Sequence, residues 1–153
     1  MSVVRASVEV AAPPSTVWKV VSDPRNLTAW DHHIISVDGV PPDGLREGSR
    51  YRTWVRFMGV RAHADAEVLA FRPGRYAKVR LKGLVEGTVE TWLEPLDGNR
   101  TLLRHEVDYR LIGGPLGRVA ARGIKFLGAS YLVRRGALAQ KRQAEETGHR
   151  RPG

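Results

Sequence analysis

Between Ile34 and Leu111 the sequence is a succession of short alternating runs, and a single helical pattern follows them. The runs are separated by turn signals at Pro41 to Gly48, Met58 and Gly59, Pro73 and Gly74, Gly83, and Asp97 to Asn99. Short connections of this kind make an antiparallel meander, because parallel strands need long crossovers. Alternation also fixes which face is buried. Ala62, Ala64, Ala66, Val68 and Ala70 alternate with His63, Asp65 and Glu67, and Ala77, Val79 and Leu81 with Tyr76, Lys78, Arg80 and Lys82. Leu103, His105, Val107, Tyr109 and Leu111 alternate with Arg104, Glu106, Asp108 and Arg110. One face of the sheet is therefore apolar and the other charged. In the strands containing Trp54 and Trp92 both phases are plausible, and the favoured one turns Val55, Phe57, Val89 and Thr91 inward.

Ahead of the meander, Val3 to Val10 reads as one more strand, stopped by Ala11 to Pro14. Ser15 to Ser22 reads as a short helix with proline in its first turn, and Asp23 and Pro24 open a second one anchored by Leu27 and Trp30. After Gly113, Gly114 and Pro115 the period becomes helical. Leu116, Val119, Ala120, Gly123, Ile124, Leu127, Tyr131, Ala137 and Leu138 share one face, Arg118, Arg122 and Lys125 the other. This helix is expected to run to about Glu146.

Seven strands and one long helix pose a problem of width. A helix is about 10 Å across and strands are about 4.8 Å apart, so one helix covers about two strands, whereas seven span roughly 30 Å. The sheet must curl around the helix. Its inward set is small: alanines on one strand, Ala77 on the next, and Gly123 and Gly128 in the helix. Such residues either leave an apolar cavity or let helix and sheet approach closely with no hole, and the pattern alone admits both.

Composition narrows the chemistry. With 153 residues, 42% apolar and 27% charged, the chain suits one soluble domain with a sizeable core. Zero cysteines exclude a disulfide framework, a thiolate zinc site and a thiol nucleophile. No signal-peptide pattern and no long apolar span is present, so an intracellular, cytoplasmic location is expected. The net charge of +9 is concentrated after Pro115, where nine Lys or Arg stand against two acids. That basic helix face would suit an acidic carrier protein or an anionic membrane surface, or merely solvent. Nucleic acid fits it less well, since no aromatic residues are interleaved for stacking.

The run VEVAAPPSTVWKVVSDPRNLTAW, the meander and the YRLIGGPLGR entry into the last helix resemble the START-like, helix-grip (SRPBCC) superfamily, and within it the polyketide cyclase/dehydrase and lipid-transport group. The likeness extends from Val3 to about Glu145. It implies an α+β helix-grip fold, a curved seven-stranded antiparallel sheet around a long C-terminal helix, with two short helices between the first two strands. Residues 1–146 would form one ligand-binding domain and 147–153 a flexible basic tail. The resemblance further implies a hydrophobic pocket, used in relatives for lipids, quinones, aromatic polyketides or plant hormones.

The residues facing that pocket would be Trp30 and His33 near its entrance, then Val55, Phe57, Ala64, Val68, Val79, Leu81, Val89, Thr91 and Val107 from the strands. Ile124, Leu127, Tyr131 and Arg134 would face it from the helix. His105 and Tyr109, two apart in phase on the last strand, are the candidates for proton shuttling and for hydrogen bonding an enolate or phenol oxygen, if the pocket cyclises or dehydrates a poly-ketone. The plainer reading is a locally satisfied core histidine and a tyrosine reaching the rim. Arg134 falls on the face of Leu116 and Leu127 at 100° per residue, where it would attract an anionic group, unless it extends past the sheet edge into water. Neither His32 and His33 nor His63 forms a set with metal-ligand spacing, so no metal or cofactor is expected. Glu86 with Glu90, and Asp65 with Glu67, share faces but belong to the polar side of the sheet. Three functions remain: a binding protein for a small hydrophobic molecule, a polyketide cyclase or dehydratase using the same cavity, and a basic protein that engages membrane or nucleic acid.

Overall fold

In the computed structural model, which describes residues 2–30, 33–57, 59–83, 85–111 and 129–150, seven antiparallel strands form one sheet. They are β1 (Ser2–Val10), β2 (Ile34–Asp38), β3 (Arg50–Phe57), β4 (Val60–Arg72), β5 (Tyr76–Gly83), β6 (Val85–Leu96) and β7 (Arg100–Leu111). The order β1-β7-β6-β5-β4-β3-β2 is a meander closed by β1 pairing with β7, as the short connections required. Between β1 and β2 lie α1 (Pro14–Val21), a 3-10 turn (Pro24–Asn26) and α2 (Leu27–Trp30), and α3 (Ala129–Arg150) ends the chain. The helix continues to Arg150, one turn beyond the expected stop near Glu146. Its expected beginning, with Leu116, Gly123, Ile124, Leu127 and Gly128, and the cations Arg118, Arg122 and Lys125, lies outside the described residues.

Local chemistry explains the helical segment after β1. Pro14 sits in the first turn of α1, where its missing N–H costs nothing, and the Pro13 carbonyl accepts from the Thr16 and Val17 amides. One face of α1, Thr16, Val17 and Val20, is buried. The Asp23 carboxylate caps the 3-10 turn by accepting from the Arg25 amide at 3.0 Å, and the Arg25 guanidinium beside it holds that carboxyl below its usual range. Asn26 then donates to the Val20 carbonyl and accepts from Gln143 at 3.0 Å, which ties the turn to α3.

The solid core is at one end of the molecule. Val10, Ala12, Val17, Val20, Leu93, Leu103 and Ala144 pack together where β1, α1, β6, β7 and α3 meet. The described part of α3 packs on β1, β7, α1 and α2, so it covers about the two strands that its diameter permits. Among the described side chains of α3 the buried ones are Ala137, Gln140 and Ala144, whereas Leu138, expected inward, is 40% exposed.

Two features interrupt the regular ladder of the sheet. Gly87 has a backbone that approaches β7 so closely that a Cβ there would stand 2.0 Å from the Asp108 carbonyl oxygen, and one on Gly83 would stand 2.6 Å from that of His63. At both sites the neighbouring backbone leaves no room for a side chain. The second is a register shift in β4. Val68 pairs with Val79, but Ala70 pairs with Lys78 and Phe71 with Ala77. The alternation that was expected to turn Ala70 inward is therefore interrupted at Leu69, and Phe71 takes the inward position instead.

Candidate functional site

The inward faces of β3 to β6, left beyond the reach of the described part of α3, enclose a cavity of about 270 Å³. The strands contribute Tyr51 and Thr53 from β3, Ala64, Val68 and Phe71 from β4, and Ala77, Val79 and Leu81 from β5. Val89 and Thr91 line it from β6 and His105 from β7. Trp18, Val21, Pro24 and Leu27 from the helical segment close one side with Ser22, and Leu45 and Gln140 complete the wall. Trp18 stacks obliquely on Phe71, ring centroids 5.3 Å apart, so the residue that the β4 bulge turned inward forms part of the end wall. No Lys, Arg, Asp or Glu is among these lining residues.

The favoured phase for the two ambiguous strands is the one adopted. Tyr51, Thr53, Val89 and Thr91 face the cavity, and Trp54 and Trp92 lie on the outer face, beneath Arg61 at 4.6 Å and Arg104 at 5.4 Å. Of the other residues expected to face a ligand, Ala64, Val68, Val79, Leu81 and His105 are brought together around the same space. Val55, Val107 and Tyr109 are half-buried on inward phases but do not line it, and neither does His33, whose carbonyl accepts from the Arg56 amide. Arg134 is exposed, so no cation enters the cavity from that position. It stands roughly 90° around the helix from the buried Ala137, Gln140 and Ala144 stripe at 100° per residue. Ile124 and Leu127 lie outside the described residues, as do the side chains of Trp30, Phe57 and Tyr131.

His105 is a satisfied core histidine. It pairs across the ladder with Thr91, whose hydroxyl oxygen is 2.9 Å from Nδ1, and Nε2 lies 2.6 Å from the Oε1 of Gln140 on α3. A carbonyl oxygen only accepts, so the ring proton sits on Nε2 and Nδ1 receives the Thr91 proton. Burial pushes the imidazole below its ordinary value of 6.5, opposed by the Gln140 hydrogen bond. The ring is thus neutral with both nitrogens engaged. Tyr51 is different: it lines the cavity with no hydrogen-bond partner among the described residues, and burial raises its phenol to about 12.

A larger groove of about 620 Å³ crosses β3 to β5 on the outer face, but it is open and lined by Arg50, Arg52, Trp54, Asp65, Glu67, Arg80 and Lys82. Arg50 and Arg80 both meet Glu67, and Arg52 meets Asp65 at 2.7 Å, holding that carboxyl below its usual range. Glu86 and Glu90 are likewise engaged, by Arg110 and the Tyr76 hydroxyl. The paired carboxylates noted in the sequence are therefore members of cross-strand pairs. Among the described residues no cluster of three His, Asp or Glu could hold a metal ion, and no helix is long and apolar enough to cross a membrane.

A curled antiparallel sheet with a C-terminal helix against one end and a mostly apolar cavity beside it, lined by no charged side chain among the described residues, defines a helix-grip protein. Residues 1–141 match the family described as polyketide cyclase/dehydrase and lipid transport, and the chain belongs to that family. No curated protein matches it by sequence. Among solved structures it is similar to the Zhui aromatase/cyclase from a Streptomyces species, at 22% identity and a TM-score of 0.68, covering 98% of this chain and 94% of that one. A START superfamily protein from Mycobacterium smegmatis shares 21% identity with a TM-score of 0.66, over 95% of this chain and 98% of that one. A Thermus thermophilus protein reaches a TM-score of 0.73 at 16% identity, over 95% and 99%. At these identities the structures show a shared fold.

Proposed function

We propose that this protein binds a small hydrophobic molecule, an aromatic, polyketide or lipid-like compound, in the space between the sheet and its helices. The observation that carries the reading is the cavity itself: about 270 Å³, walled mostly by aliphatic and aromatic side chains and, among the described residues, by no charged one. That is nearly twice the roughly 150 Å³ apolar hole that admits benzene, and it suits about two fused rings. The second meaning of the inward alanines, close packing with no hole, is the one that this volume opposes.

Binding is favoured over turnover by the state of His105. A group that moves protons during cyclisation or dehydration needs a nitrogen directed at the substrate and an affinity for protons near the working pH. Here both nitrogens are engaged and burial lowers the affinity. Native mass spectrometry of the protein purified from its own source tests the reading. A copurifying apolar molecule released on denaturation is expected. Protein that carries nothing and takes up no small aromatic in titration would overturn it. Recovery of an added poly-ketone in chemically altered form would replace carriage with catalysis.

A further inference from the structure

The two ends of the sheet differ in the chemistry of their chain reversals. In a meander successive turns alternate between ends, so the β3–β4 and β5–β6 turns and the exit from β7 share one end, and the β4–β5 and β6–β7 turns the other. At the second end the sequences are polar, RPGR over 72–75 and DGNR over 97–100. At the first they are RFMGVR over 56–61, KGLV over 82–85 and LIGGPLG over 111–117, uncharged stretches beside basic residues. Turns that face only water are ordinarily polar.

The β3–β4 hairpin also projects at that end. β4 pairs with β5 only from Ala64 onward, so Val60 to His63 extend about four residues, or roughly 14 Å, past the neighbouring strand. On the outer face of the projection Arg56 stands directly opposite Arg61. Both are exposed, and no acid among the described residues pairs with either. Like charges directly opposite repel, and Arg61 lies over Trp54 at 4.6 Å from the ring centre. Two of the three exposed large apolar side chains among the described residues lie toward the same end. Val3, 47% exposed, pairs with Asp108 near the end of β7, and Ile35, 42% exposed, adjoins Ile34 opposite Val55.

We propose that this end of the protein docks on an anionic lipid surface, led by the β3–β4 hairpin, whose uncharged tip enters the headgroup boundary while Arg56 and Arg61 take lipid phosphates as counter-ions. Exposed Lys82 adds to that charge. Nearby acids do not cancel it: Asp65 is held by Arg52 and Glu86 by Arg110, and Asp108 is separated from the hairpin by β5 and β6. A nucleic acid would need open aromatic faces, whereas the Trp54 ring already carries Arg61 and the His63 ring, 5.0 Å away. Tips along a rim meet a plane better than an extended peptide, which takes a groove or a strand edge. The proposal is independent of what the cavity holds.

Cosedimentation with vesicles tests it, using phosphatidylcholine alone or phosphatidylcholine with phosphatidylglycerol at 70:30, in 50 and 300 mM NaCl. Binding to the anionic vesicles at low salt is expected, about tenfold weaker to phosphatidylcholine and weakened by salt. Arg56→Gln with Arg61→Gln should reduce it about 25-fold, roughly fivefold for each cation at the surface. Met58→Ser with Leu84→Ser should reduce it about tenfold and leave the salt dependence in place. Arg72→Gln with Arg75→Gln, at the other end, should leave binding unchanged, and matching urea midpoints establish that each variant is folded. Absence of binding to the anionic vesicles would overturn the proposal. So would an Arg72 and Arg75 variant that loses as much as the Arg56 and Arg61 variant, because binding would then follow overall charge. Protein that ignores vesicles but holds an oligonucleotide or an acidic protein through Arg56 and Arg61 would overturn the lipid assignment.

Discussion

Replacing Ala64 by leucine asks the interior directly whether it is hollow. Ala64 faces inward, yet it is only half-buried because its methyl group borders the cavity. Its neighbours across the ladder are small, Thr53 on one side and Gly83 on the other, and Ala62 and Ala66 flank it along the strand. Leucine adds three carbon groups, about 90 Å³ at roughly 30 Å³ each, which is a third of the 270 Å³ available. At about 0.8 kcal/mol per buried methylene the gain has a ceiling near 2.4 kcal/mol, and restricting the leucine rotamers removes about 0.5 to 1 kcal/mol. A net stabilisation of about 1 to 2 kcal/mol follows. Ala66→Leu is the matched control, because Ala66 is 3% exposed and pairs with Tyr51 and Leu81, where three more carbons overpack. That variant should lose about 1 to 3 kcal/mol. The measurement is urea unfolding followed by tryptophan fluorescence, compared at constant m-value. The Ala64 variant should also weaken binding of a two-ring aromatic. If Ala64→Leu destabilises the protein as much as Ala66→Leu does, there is no room beside Ala64 and the reasoning fails.

Two further outcomes follow from the geometry. Gly87→Ala should cost about 2 kcal/mol or more, since its Cβ would collide with the Asp108 carbonyl oxygen, and an unchanged urea midpoint would show that β6 and β7 can separate there freely. Burial holds His105 below its ordinary 6.5, so the unfolded chain binds the extra proton first. The stability that His105 contributes is complete above 6.5 and is lost as pH falls through its lower folded value. The urea midpoint should therefore fall between pH 7 and 5, and His105→Gln should flatten that slope. Asp23 and Asp65, also held low, lose their contributions only below about pH 4, the ordinary range of a carboxyl. A wild-type midpoint that does not change over that window would contradict the assignment.

The strand faces could be read from the sequence because their period is two and one face carries a polar or charged side chain at each step, as in His63, Asp65 and Glu67. The interruption at Leu69 could not. Leu69, Ala70 and Phe71 are all apolar, so either phase satisfies the pattern, and only the pairing of Phe71 with Ala77 decides between them. The meeting of His105 with Gln140 was hidden for a different reason. Thirty-four residues intervene, and the partner lies on a helix whose buried stripe is defined by small and polar residues. Counting 100° per residue from Leu116 to Arg134 carries any departure from ideal geometry through five turns, and the exposed Arg134 agrees with the second of the two readings it admitted, extension into water. Tyr51 and Thr53 were within reach, since both lie on the inward phase favoured for β3.

The bulge in β4 also determines how the interior of such a protein can change over generations. One supernumerary residue lets Phe71 pair with Ala77 and turn toward Trp18, so loss of a single codon at Leu69 or Ala70 would restore unbroken alternation from Val68 and still leave the ring inward. Only a slide of the strand end by one residue, pairing Ala70 with Ala77, would turn the ring to water. The end wall is thus secured by strand pairing, and a lineage with this architecture could shorten the strand here without opening the chamber at that end.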